Sequence, residues 1–171
     1  MALIERYHVV AAERAVASGE TIKEGQIVSL NTSGEVVLQS TTYTTPYGIA
    51  GDTKSTSASS MPGIASGWQN RVSDYFDETK ASAKMTVYHS GGEFATDQFS
   101  ANVASATIGD PLYANAGLLC TAAESTASGV VGRLIKAAGT YPSGVPGIDL
   151  NGDQALSGDN SNTYLELKLL I

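Results

Sequence analysis

The sequence predicts a mainly β fold: one domain of short antiparallel strands with long loops and one short helix over about 66–80. Three observations lead there. Thr163–Ile171 alternates, with Leu165, Leu167, Leu169 and Ile171 on one side and Tyr164, Glu166 and Lys168 on the other, which is the period of a strand. A pattern of Gly, short strand, Asn-x-Gly turn, short strand and Φ-Gly-Φ occurs twice, at 25–50 and at 109–136. Charged residues make up only 16% of the chain, so Ser, Thr, Asn and Gly must supply much of the surface, as in loop-rich β proteins.

In chain order, Tyr7–Ala12 and Arg14–Ala17 read as extended segments of an N-terminal arm, residues 1–20. A helix over Ile4–Ala17 is the rival reading, and the Val9-Val10 pair and the missing caps favour strand. The first hairpin copy follows, with Gly25, Asn31, Gly34 and Gly48 corresponding to Gly109, Asn115, Gly117 and Gly132 in the second. Asn and Gly are expected to take the positive-φ turn positions. Residues 51–82 form an insertion. Its first part, Asp52–Ser60, is too polar to bury and reads as an exposed loop. Trp68, Val72, Tyr75 and Phe76 then fall at helical spacing. Lys84–His89 and Glu93–Phe99 flank Ser90-Gly91-Gly92 and read as a hairpin. In the second copy, strands are expected at Pro111–Ala114, Leu118–Ala122 and Val130–Lys136, with Asp110 capping its own turn. Ala137–Ser161 is rich in Gly, Pro, Asn and Asp. The closing strand would aggregate as a free edge, so it is expected to be paired.

Bulk properties exclude several classes of function. The 171 residues suffice for one domain with a sizeable core. Ten basic against 17 acidic residues give a net charge of −7, and no basic run exists, which argues against nucleic acid as a partner. Cys120 is the only cysteine, so no intrachain disulfide forms, and a small buried hydrophobe is the simplest reading. No apolar run approaches the ~20 residues of a membrane span, and the start lacks a signal-peptide pattern. The expectation is a soluble protein made in a cytoplasm.

Chemistry-bearing constellations are absent from the sequence. His8 and His89 have no metal-ligand spacing. There is no nucleophile elbow, phosphate loop or dinucleotide fingerprint. Asp149, Asn151, Asp153 and Asp159 imitate a calcium loop, but Gln154 replaces its Gly and Asn160 its bidentate Glu, so a surface loop is the simpler reading. No catalytic, cofactor-binding or firm metal residue is assigned.

The segments Ala17–Leu30, Gly109–Leu119 and Val130–Ile135 resemble the openings of capsid decoration (cement, head-stabilising) proteins of tailed bacteriophages. The block from Arg71 to Phe99 is similar to phage virion structural proteins. The resemblance implies a β-barrel-like or β-tulip-like module on the capsid exterior, trimeric in many members, bridging neighbouring major capsid subunits, with no cofactor, nucleic acid or membrane. Aromatic and arm residues are the candidate contacts: Leu3, Ile4, Tyr7, Val9, Trp68, Tyr75 and Phe76. A phage tail-tube or connector protein, and a carbohydrate- or calcium-binding β-module, are the alternatives.

Overall fold

A computed structural model describes residues 3–5, 10–54, 84–125, 128–140 and 163–171. Among these residues eleven strands follow in chain order: β1 Leu3–Glu5, β2 Val10–Ala15, β3 Ile27–Leu30, β4 Val36–Leu38, β5 Gly48–Ala50, β6 Lys84–His89, β7 Glu93–Thr96, β8 Pro111–Asn115, β9 Leu118–Cys120, β10 Gly132–Thr140 and β11 Thr163–Leu169. One 3-10 turn, Ala101–Ser105, lies between β7 and β8. The strands form a five-stranded sheet, β2-β6-β5-β3-β4, and a six-stranded sheet, β1-β7-β11-β10-β8-β9. The class is mainly β as expected, with one correction: the sheets are sandwich-like and neither is a closed barrel. The five-stranded sheet curls until its edges touch at a parallel bridge from Val16 to Val36; in the six-stranded sheet the matching bridge, Phe99 to Leu119, joins the chain after β7 to β9 and leaves β1 outside.

The two sheets are copies of one another. Without β1, each reads first-fifth-fourth-second-third strand of its own half. The correspondence holds residue by residue. Val28 pairs with Gly48, and Leu112 with Gly132. The Gly25 N–H donates to Ala50 O at 2.8 Å, and the Gly109 N–H to Leu134 O at 2.8 Å. The glycines recur for one physical reason each. Gly25 and Gly109 have φ of 85° and 94°, and Gly34 and Gly117 have 78° and 77°, where a Cβ is disfavoured. Gly48 and Gly132 instead lie against backbone: a Cβ would sit 2.4 Å from Tyr88 O or 2.5 Å from Lys168 O.

The cores correspond too. Val28, Val36, Ala50, Met85 and Val87 fill the first curl, and Leu112, Leu119, Leu134, Leu165 and Leu167 fill the second. Each Val, Leu or Met side chain among them contributes about 2 kcal/mol by leaving water. The exposed pair Lys84–Glu13 at 3.7 Å and the half-buried pair Lys136–Glu166 at 3.4 Å contribute on the order of 0.5 kcal/mol each, so burial holds the fold. The second core also takes in Ile27 and Ile49 from the outside of the first sheet, beside Phe94, and this joins the halves. β11 lies between β7 and β10, so the closing strand is paired on both sides, as its alternation required.

Two local expectations are corrected. Ser90-Gly91-Gly92 does not close a hairpin: β6 pairs with β2 and β5, while β7 pairs with β1 and β11. Three successive positive φ values, 61°, 108° and 103°, carry the chain from one sheet to the other. The Asn residues do not take positive φ. Asn31 accepts the Ser33 and Glu35 N–H groups at 2.9 Å through Oδ1, and in the second copy Ala116 and Gly117 take the left-handed positions. Asp110 does cap its turn, accepting the Thr107 N–H at 2.8 Å and hydroxyl at 2.9 Å.

Candidate functional site

Of the sequence-derived contact residues, Leu3 and Ile4 lie in β1, whose backbone pairs with Thr96 and Ala95 of β7. β1 pairs with β7 and β2 with β6: Glu5 is opposite Phe94 and Val10 is opposite His89. The arm thus supplies an outer strand to each sheet. Tyr7, Val9, Trp68, Tyr75, Phe76, the helix over 66–80, and the calcium-like residues Asp149, Asn151, Asp153 and Asp159 lie outside the described residues.

Among the described residues, no group of three or more His, Cys, Asp and Glu is placed to hold a metal ion. Cys120 is buried in β9, and its thiol is pushed up to about 11, first by burial and then by the Glu124 charge. A thiol so protonated is a poor nucleophile. One polar cluster stands at the first repeat. The Arg14 Nε and Nη2 groups donate to the Tyr47 hydroxyl at 3.2 and 3.0 Å, and the Tyr47 ring stacks on His89 at 5.3 Å. The corresponding positions of the second repeat are Thr96, Val131 and Leu169, all buried.

The outer faces differ most. Across the first sheet the register sets Ala11, Tyr88, Ile49 and Ile27 in a row. Ile27 and Ile49 are fully buried there, and the Tyr88 ring meets Phe94 of the second repeat at 5.4 Å. The same row in the second sheet is Glu93, Lys168, Arg133 and Pro111. Arg133 and Lys168 are exposed and directly opposite one another. Like charges so placed repel. The exposed large hydrophobics among the described residues are Ile108 (72%), Val130 (37%) and Leu170 (50%), all in the second repeat. Sequence reading missed this row. The signal was the alignment of the copies, which sets Arg133 against Ile49 and Lys168 against Tyr88.

Comparison with protein-family models, with curated proteins and with solved structures finds no match. Among the described residues, no helix is long and apolar enough to cross a membrane.

Proposed function

We propose that the chain is a structural virion protein that binds the outer surface of a tailed-phage capsid and bridges neighbouring major capsid subunits. The observation that carries this reading is the resemblance of the 17–30 and 109–135 segments to capsid decoration proteins. The first segment contains β3 and the second contains β8 and β9, strands at equivalent places in the two sheets. A clamp needs area rather than chemistry: a standard protein contact buries about 1,600 Å², and many copies act together. The low charge density and the arm running along both sheets are consistent with such work.

The test is direct. Purified chain is mixed with undecorated heads built from the major capsid protein of the same virus, then sedimented. The chain should pellet to a fixed ratio with that protein, and the decorated heads should survive a higher temperature than bare ones. A chain that stays in the supernatant would refute the reading. So would one that assembles by itself into rings or tubes, the behaviour of a tail component.

A further inference from the structure

We infer that the outer face of β10 and β11 is a docking surface for a protein partner that presents carboxylates beside an apolar side chain. The repeat supplies the argument. In the first repeat this face, Tyr88, Ile49 and Ile27, is covered by protein, namely the second repeat. In the second repeat the same face points outward, and its centre is Arg133 opposite Lys168. Two cations set face to face cost stability, and they occur in a chain of net charge −7. An anionic partner turns that repulsion into attraction.

The apolar part of the patch surrounds the cations. Lys168 and Leu170 lie on one side of β11, since Leu165, Leu167 and Leu169 take the other. The Leu170 N–H donates to Val131 O at 2.9 Å, so the exposed Leu170 stands across from the chain segment that carries the exposed Val130. On the far side the Arg133 Nη1 group donates to Gly109 O at 2.9 Å, next to the exposed Ile108. That bond holds the guanidinium in place, and Arg carries five N–H donors, so others remain for a carboxylate. Arg with apolar side chains is the composition of protein interfaces. A polyanion such as DNA would instead select a longer basic track, and this face has Glu93 directly beside Lys168.

The inference does not depend on the partner being a capsid, and its test has two arms. In the first, the labelled full chain is titrated with a short alternating Leu-Glu peptide and followed by amide shifts. Shifts should gather at residues 130–133 and 168–170 and shrink with added salt. Affinity should fall about tenfold in R133E and in K168E, and remain unchanged in K23E, which alters net charge equally at an exposed site of the first repeat. Melting no lower than wild type verifies that each variant is folded, since R133E and K168E each replace the repulsion with an opposite-charge pair. In the second arm, K168E and K23E are sedimented with undecorated heads. Wild type and K23E pelleting while K168E does not supports the inference. All three pelleting equally excludes this face from the head contact, and the peptide arm then decides. Wild type failing to pellet refutes the capsid reading instead, and the peptide arm then decides. Scattered shifts, equal loss in K23E, or stronger binding of a DNA oligomer at the same residues would each overturn the proposal.

Discussion

At Gly48 and Gly132 the two repeats are the same object; one residue on, at Ile49 and Arg133, they are different ones. The inward half of each copy obeys one constraint, a curled sheet packed on itself, so glycine positions and core positions coincide. The outward half obeys whatever lies next to it. The first copy has the second as neighbour and became apolar. The second faces outward and became charged. A duplicated module thus separates residues that the fold demands from residues that a contact demands.

The equivalence is broken or upheld most sharply at its shared glycines. Gly48→Ala places a Cβ 2.4 Å from Tyr88 O, and Gly132→Ala places one 2.5 Å from Lys168 O. Both obstacles are backbone, which cannot turn aside, so the strands must part. Each variant should lose about 3 kcal/mol, near the upper end for overpacking, or about 10 °C in Tm for a chain this size. Denaturant melts should give similar losses for the two. A cost at one site and not at the other would show that the repeats are alike in outline only.

The turn glycines divide the repeats. Gly34 and Gly117 share φ near 78°, but a Cβ at Gly34 meets nothing, whereas at Gly117 it meets Leu38 Cδ1 at 2.4 Å. Gly117 is where the second hairpin docks on the first repeat: the Ile27 N–H donates to Gly117 O at 2.8 Å. Gly34→Ala should cost about 1 kcal/mol for the left-handed conformation alone. Gly117→Ala should cost about 2 kcal/mol, the excess being the clash, which Leu38 can partly relieve because it is the end of a flexible side chain. Combining Gly117→Ala with Leu38→Ala should bring a coupling that a double-mutant cycle detects; strictly additive losses would mean that the turn does not press on Leu38.

These glycines also mark how much could be read from sequence. Their spacing announced two copies, because turn conformations and close approaches admit few residues. The alternation in Thr163–Ile171 announced a strand that must be paired, inside the sheet or with another chain, and the structure pairs it within the sheet on both sides. Ser90-Gly91-Gly92 misled, because loop length gives a hairpin only if the flanking strands pair, and pairing is decided elsewhere: β6 is taken by β2 and β5. Asn31 was legible as a turn residue but not in its manner of acting, since side-chain capping and positive φ favour the same residue type. Arg133 and Lys168 gave no local signal. Their meaning appears only when β10 and β11 are seen side by side and matched to the first sheet.

Val37 and Cys120 occupy equivalent core positions, and the cysteine makes one of them titratable. Burial first, then Glu124, raises the thiol from 9.0 to about 11. In the unfolded chain the thiol ionises near its ordinary value, while the folded chain keeps its proton. Stability is therefore whole below about pH 9 and declines as pH rises toward 11. Cys120→Ala should flatten that decline in melts taken from pH 8 to pH 11, and wild type should resist alkylation at pH 8 until unfolded. Rapid alkylation of the native chain would place the thiol at the surface.

The smallest difference lies in the turns that precede β3 and β8. Gln26 Oε1 accepts the Lys23 N–H at 2.8 Å, and Asp110 Oδ2 accepts the Thr107 N–H at 2.8 Å. The geometry is the same, but only the carboxylate titrates. The Thr107 backbone bond, followed by its hydroxyl bond, holds Asp110 below its ordinary value of 3.8. The folded state thus favours the charged form, so the benefit is present above that value and is lost as pH falls through the lowered one. Asp110 is open to solvent and the effect is local. It should be read from amide shifts rather than from melting: on acidification the Thr107 amide moves with a midpoint under 3.8, and the Lys23 amide does not. Asp110→Asn should abolish the movement at Thr107, and Gln26→Asp should create one at Lys23. If Gln26→Asp leaves Lys23 unmoved, the two turns are not interchangeable, and the correspondence of the repeats ends at the strands.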